Sequence, residues 1–381
     1  MGGRRTRKVL FVTPPGYGHL FPIVPLVWAL RAAGHDVLVA TCGVSVSAAT
    51  RAGLPVVNVA VGTDLPALYA KHRETFRDSV ARPDESRDVT PQIFVDTCDV
   101  MADGVVRVAR DWRADIIVHT PDAAAALIAS ASLSTPAVFL GIGLHYTPET
   151  MTRTLYTAVP HVCARWNLPR PAAPVAWIDT TPPSLNGGRQ AAWPMRSVQY
   201  NGGVLVDASA VAADASRRPR VAVTMGTAVP FVHGVAPLRA IVEAAREVDA
   251  TFLLAHGLPS SAALEPLPPN VQATNWIGLD VLLPTCCAAV HHGGAGTTMA
   301  VLGAGLPQLV IPQGSDQFAN ADALRRRGVA LVKDAAGLDA GAMMSLLDNR
   351  ALAESAIQVR AEMAAMPPPA DVVSPLARLA S

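Results

Sequence analysis

Two short stretches carry residues whose types and spacing suit chemistry. PPGYGHLFP (Pro14–Pro22) puts His19 directly after a glycine-bearing turn. HHGGAGTT (His291–Thr298) packs two histidines, three glycines and two threonines into eight residues. The uncharged run that follows is broken only by Asp316, beside Gln317. The HHGGAGTT turn can meet an anion without a lysine or arginine. Glycine lets a backbone approach a ligand closely. A helix is expected from about Thr297 to Gly303; its first N–H groups have no internal partners and sit at the positive end of its dipole. Those groups, two threonine hydroxyls and an imidazole N–H suit a diphosphate. An Asp opening a helix is ordinarily a cap. With Gln beside it, supplying donors and an acceptor, the pair also suits the hydroxyl face of a sugar.

These residues need elements to position them, and the pattern supplies two similar sets. Strand-like KVLFVT (Lys8–Thr13) leads into the His19 turn, then apolar residues at helical spacing through Leu30, then DVLVAT (Asp36–Thr41). A helix and strand fit Val44–Ala60; DIIVH (Asp115–His119), an alanine-rich helix and PAVFL (Pro136–Leu140) form another unit. The pattern restarts at VAVTMG (Val221–Gly226), with strands TFLLAH, VQATNW, CCAAVH and PQLVIP after it. Alternating strands and helices predict parallel sheets covered on both faces, with ligands at the carboxyl ends of the strands. The fold class is therefore α/β, two Rossmann-like doubly wound domains facing each other across a cleft. The expected divisions are 1–205, a linker at 206–220, a second domain at 221–365, and a segment at 366–381 that crosses back to the first domain.

Bulk properties exclude other classes. The 381 residues carry a net charge of +1, half are hydrophobic and 16% are charged. That gives no electrostatic case for nucleic acid or an anionic membrane surface. The apolar windows Ala123–Leu144 and Val281–Ser315 read as buried strand, loop and helix rather than membrane spans. Five cysteines without metal-type spacing read as reduced thiols, and the N-terminus lacks a signal peptide pattern, so a cytoplasmic protein is expected. The charged stretch Lys71–Thr90 reads as either a surface lid or a solvated helix-loop insertion.

The blocks VLFVTPPGYGHLFPIVPLVWALRAAGHDVLVAT, RSVQYNGG, VTMGT, NWIGLDVLLPTC, HHGGAGTT and PQLVIPQGSDQFANADAL, in this order, resemble the family 1 glycosyltransferases of the GT-B fold. Within that family they look like the bacterial enzymes that attach deoxysugars to natural products. The resemblance implies that Trp276 stacks on a pyrimidine, with the Ile277 backbone at its edge. It implies that His292, Gly294, Thr297 and Thr298 hold the diphosphate, that Gly226 and Thr227 close on it, and that Asp316 and Gln317 bind sugar hydroxyls. His291 packs or caps instead. His19 would deprotonate the acceptor for a single inverting displacement. The donor would be a TDP- or UDP-sugar, with no cofactor and no metal. In many relatives an acid after the strand equivalent to IIVH orients the base. Here that position is Thr120, and Asp122 is the nearest acid; either can substitute, or His19 works without a carboxylate. The implied partners are the nucleotide-sugar donor and a hydrophobic small-molecule acceptor, with a homodimer left open. Loops including Gly141–Trp166, which holds Tyr146, Met151 and Tyr156, are expected to line the acceptor pocket.

Rival readings remain. A nicotinamide dehydrogenase would need glycine where Phe21 completes the G-x-G-x-x-G spacing, and an acid at the end of the second strand rather than Asp36 at its start. A nucleotide-sugar epimerase of the same fold, and a non-catalytic auxiliary partner of a transferase, are the others.

Overall fold

The computed structural model describes residues 5–74, 92–144, 158–188, 193–203, 218–255, 261–274 and 276–380. Most of the charged stretch Lys71–Thr90, most of the linker, and Tyr146, Met151 and Tyr156 lie outside the described residues.

Two parallel sheets form the frame. The first holds β1 (Lys8–Val12), β2 (Asp36–Thr41), β3 (Val56–Asn58), β4 (Ile116–His119), β5 (Ala137–Leu140), β6 (Ala176–Asp179) and β7 (Trp193–Pro194), in the order β3-β2-β1-β4-β5-β6-β7. The second holds β8 (Arg220–Thr224), β9 (Thr251–Ala255), β10 (Val271–Thr274), β11 (Ala288–His291), β12 (Gln308–Val310) and β13 (Ala330–Val332), in the order β10-β9-β8-β11-β12-β13. Each sheet is wound outward from its first strand in both directions, so β1/β4 and β8/β11 are the two switch points where a crevice opens. Pairing fixes which strand ends meet there: Val12 lies opposite His119, and Thr224 opposite His291.

The strands read as apolar runs because both faces are covered. Leu10 and Val12 face one helical layer with Val105 and Leu127. Val9 and Phe11 face the other with Leu26 and Leu30. The last helix, Pro369–Arg378, adds Val372, Val373 and Leu376 to this second layer, against Val24–Ala32 of the first domain. The chain reaches it by passing the first domain's edge, where the Arg196 N–H donates to the Pro367 carbonyl at 2.7 Å. No helix among the described residues is long and apolar enough to cross a membrane.

Candidate active site

A cleft of about 1000 Å³ lies between the domains, lined by Gly18, His19, Trp276, His292, Thr297 and Asp316 among others. Its first wall follows from the β1/β4 switch point. After β1 the chain turns through Gly16 at φ 134, and Ser45 Oγ accepts the Gly16 N–H at 2.8 Å. That anchor starts the short helix Tyr17–Leu20, which carries His19. The ring is half-buried, with its edge toward Phe94 at a centroid distance of 6.0 Å. Cleft walls close enough to strip its water push its pKa down to about 4. Because β4 ends beside β1, the residue after β4 reaches this ring: Thr120 Oγ1 lies 3.5 Å from His19 Nδ1. Asp122, two residues on, has φ 62 and is buried. No hydrogen bond joins it to His19, and its Oδ2 has no partner. Burial, reinforced by Asp316 across the cleft, raises its pKa to about 7. The structure therefore puts Thr120, not Asp122, beside His19.

The second wall is the β8/β11 switch point. The helix after β11 begins at Ala295, two residues before the sequence pattern placed it, so Thr297 and Thr298 lie inside its first turn. Thr298 is buried with an unpartnered Oγ1, whereas Thr297 lines the cleft. His291 braces the turn from below: its Nδ1 accepts the Gly293 N–H at 3.0 Å, and its Nε2–H donates to Gln308 Oε1 at 2.8 Å. His292 is wedged between two glycines. A Cβ on Gly294 would lie 2.3 Å from its Nε2, and one on Gly226 would lie 2.7 Å from its Cε1. Gly226 also has φ 63, so its backbone as well as its space calls for glycine. Burial and the adjacent His291 ring hold the His292 pKa near 3. The imidazole is therefore neutral and its buried Nδ1 unpartnered. Thr227, next to Gly226, is exposed at the cleft edge.

The loop after β12 brings the sugar-type pair to the same place. Asp316 precedes the helix Gln317–Arg327 but makes no side-chain cap bond to it. Its Oδ2 instead accepts from Asn320 Nδ2 at 2.8 Å, and its carboxylate takes the backbone N–H of Ala295. Burial still raises its pKa to about 6. The Gln317 Oε1 accepts the Gln313 N–H at 2.8 Å, which leaves its NH2 group for the cleft. Asn320 was not singled out from sequence. Its spacing of four residues from Asp316 on a helix was the available signal, and its Nδ2 also donates to the Gly293 carbonyl at 2.9 Å.

Trp276 stands exposed at the mouth, beside Ile277, which also lines the cleft. Its Nε1–H donates to the Asn201 carbonyl at 3.0 Å. Tyr17 and Phe21 of the first domain meet it edge-on, at centroid distances of 5.4 and 6.4 Å. Phe21 in turn contacts Tyr200, and Tyr200 contacts Trp28. This aromatic chain spans both domains. Motif reading missed it, because its members are scattered in sequence.

Comparison with known proteins identifies the family and the fold. Residues 28–226 match the family described as erythromycin biosynthesis protein CIII-like, N-terminal domain, and residues 239–379 match its C-terminal domain. The chain is 36% identical over 375 residues to the elloramycin glycosyltransferase ElmGT of Streptomyces olivaceus, covering 97% of this chain and 96% of that protein. The crystal structure of the glycosyltransferase SnogD from Streptomyces nogalater superposes with a TM-score of 0.83 at 36% identity, covering 99% of this chain and 100% of that one. The glycosyltransferase SsfS6 of Streptomyces sp. SF2575, complexed with thymidine diphosphate, gives 0.78 at 25% identity, covering 98% and 99%.

Proposed function

Because the chain belongs to the erythromycin CIII-like family of bacterial natural-product glycosyltransferases, with the GT-B fold, we propose that it moves a deoxysugar from a thymidine or uridine diphosphate donor to a hydroxyl of a hydrophobic natural-product acceptor. Thymidine is favoured by the thymidine diphosphate bound in the related SsfS6. The acceptor O–H gives its proton to His19 while its oxygen bonds to the anomeric carbon. The bond from that carbon to the diphosphate breaks, and its electron pair leaves with the nucleotide. One displacement inverts the anomeric centre. Charge building on the leaving diphosphate is met by the N-terminus of the helix Ala295–Ala304, by Thr297 and by His292, which makes a metal unnecessary.

The observation that carries this reading is the opposition of two walls across one cleft. His19 comes from the first domain, and the neutral His292 with the N-terminus of the helix Ala295–Ala304 comes from the second. Two variants test it. His19→Ala is expected to keep thymidine diphosphate affinity and lose ~10²–10⁴-fold in turnover, the usual worth of a positioned base. His292→Ala is expected to weaken thymidine diphosphate binding itself in calorimetric titration. Near-normal turnover of His19→Ala with a hydroxyl acceptor would remove His19 from the mechanism.

A further inference from the structure

We propose that Thr120 makes this pocket selective for acidic acceptors: phenols and enols are glycosylated, and unactivated alcohols are not. The inference rests on His19 being the base. A histidine base normally works with a carboxylate behind its second nitrogen, which fixes the tautomer and stabilises the imidazolium that forms. Among the described residues, only the Thr120 hydroxyl stands behind His19 Nδ1, at 3.5 Å, the long end of hydrogen-bonding range. That hydroxyl can fix the tautomer by accepting Nδ1–H. It brings no negative charge to meet a positive ring.

The other described groups around the ring do not supply that charge. Phe94 lies at its edge. His119, at the end of β4, turns its Nδ1 to the Thr120 carbonyl and packs on Phe139. Asp122 makes no bond to His19, and burial together with Asp316 across the cleft keeps it largely protonated below about pH 7. Asp316 is itself raised to about 6 and is bonded to Asn320 and the Ala295 N–H. The pocket does contain a histidine backed by a carboxylate, but it is His72, paired with Asp96 at 2.9 Å. Arg73, which lines the same cavity, adds a positive charge and not a negative one.

His19 in this setting is a weak base, held near 4 by burial. A phenol, at about 10 like tyrosine, needs far less help in losing its proton than an alcohol. Thr120 is thus a positioning residue whose lack of charge decides which oxygen can react.

The test compares 1-naphthol with 1-naphthalenemethanol, similar in shape and different in acidity, using TDP-glucose and TDP-rhamnose as donors. The wild type is expected to favour the naphthol by ~100-fold or more in kcat/KM, within the span that proton transfer commands. Thr120→Asp is expected to raise transfer to the alcohol at least ~10-fold, and Thr120→Asn, which adds no charge, is expected not to. A readout free of turnover follows the His19 ring protons by NMR. They should titrate near pH 4 in the wild type and ~1–3 pH units higher in Thr120→Asp. Equal use of both acceptors by the wild type, or an unshifted titration in Thr120→Asp, overturns the inference and leaves the glycosyltransferase reading standing. Loss of thymidine diphosphate binding by the wild type would instead sink that reading.

Discussion

The wedge around His292 makes a sharp prediction about a glycine that looks, from sequence, like part of a phosphate loop. Gly294 has φ −62 and ψ 144, angles open to any residue, so Gly294→Ala imposes no backbone strain. What it imposes is a methyl group 2.3 Å from His292 Nε2. That is about an ångström inside ordinary contact, and the imidazole must leave its place. Exchanging glycine for alanine at a helix N-cap costs under ~1 kcal/mol of stability, so the protein should remain folded. Losing a hydrogen bond to a charged group costs about 1.5–3 kcal/mol, or roughly 10–150-fold in affinity. Calorimetric titration with thymidine diphosphate should therefore show Gly294→Ala and His292→Ala weakened to a similar degree. The double variant should be no weaker than His292→Ala alone, because the methyl then occupies the space the ring vacated. The coupling in that cycle should approach the whole single-variant loss. Wild-type affinity in Gly294→Ala, or additive losses in the double variant, would refute the wedge.

Other outcomes follow from the same geometry. Trp276→Ala should lower thymidine diphosphate affinity by ~1–3 kcal/mol, the worth of a base stacked on an aromatic ring, and Trp276→Phe should retain most of it; unchanged titrations for both would place the nucleotide elsewhere. Leu376→Ala empties a fully buried site where the last helix meets the first domain and should cost ~2–5 kcal/mol in urea denaturation. Stability should fall between pH 7 and pH 5: His19, His119 and His291 are held near 4 and His292 near 3, so the unfolded chain takes up protons below 6.5 that the fold refuses. Asp122 and Asp316, raised to about 7 and 6, act in the opposite direction over part of that range, but two carboxylates do not offset four imidazoles. A Tm that stays level or rises on acidification would contradict this balance.

Much of the fold was legible because parallel strands buried on both faces must be apolar along their whole length. KVLFVT, DIIVH and PQLVIP carry that mark, and β1, β4 and β12 lie within them. Helix starts were less legible: the pattern placed one at Thr297, yet Gly294 at extended angles caps a helix from Ala295, since glycine and alanine give little periodicity to read. The residue types of the site showed through, but not their division of labour. His291 and His292 look alike in sequence. Only the pairing of β11 with β12 reveals that the first is spent on Gln308 and the Gly293 N–H. Likewise the choice between Thr120 and Asp122 could not be made from spacing. It depends on Val12 lying opposite His119, which carries the next residue against His19.

The same logic explains why residues some twenty positions apart are expected to read two ends of one donor. β11 and β12 are neighbours and run in the same direction, so their following loops emerge side by side at one edge of the sheet. The loop after β11 starts the helix Ala295–Ala304, whose N-terminal end suits a diphosphate. The loop after β12 delivers Asp316, whose carboxylate accepts the Ala295 N–H at that end. Asp316 is thereby fixed by the very helix end proposed to hold the phosphate, and Asn320 ties both loops by donating to Asp316 and to the Gly293 carbonyl. A sugar bonded to a diphosphate is a short, rigid distance from it. Two recognition groups sharing one helix terminus keep that distance whatever the rest of the cleft does. In this arrangement the first domain need only present the acceptor and His19. Loosening Asn320 should therefore disturb recognition of the intact nucleotide-sugar more than that of the bare nucleoside diphosphate, because the register between the two loops matters only to a ligand that spans both.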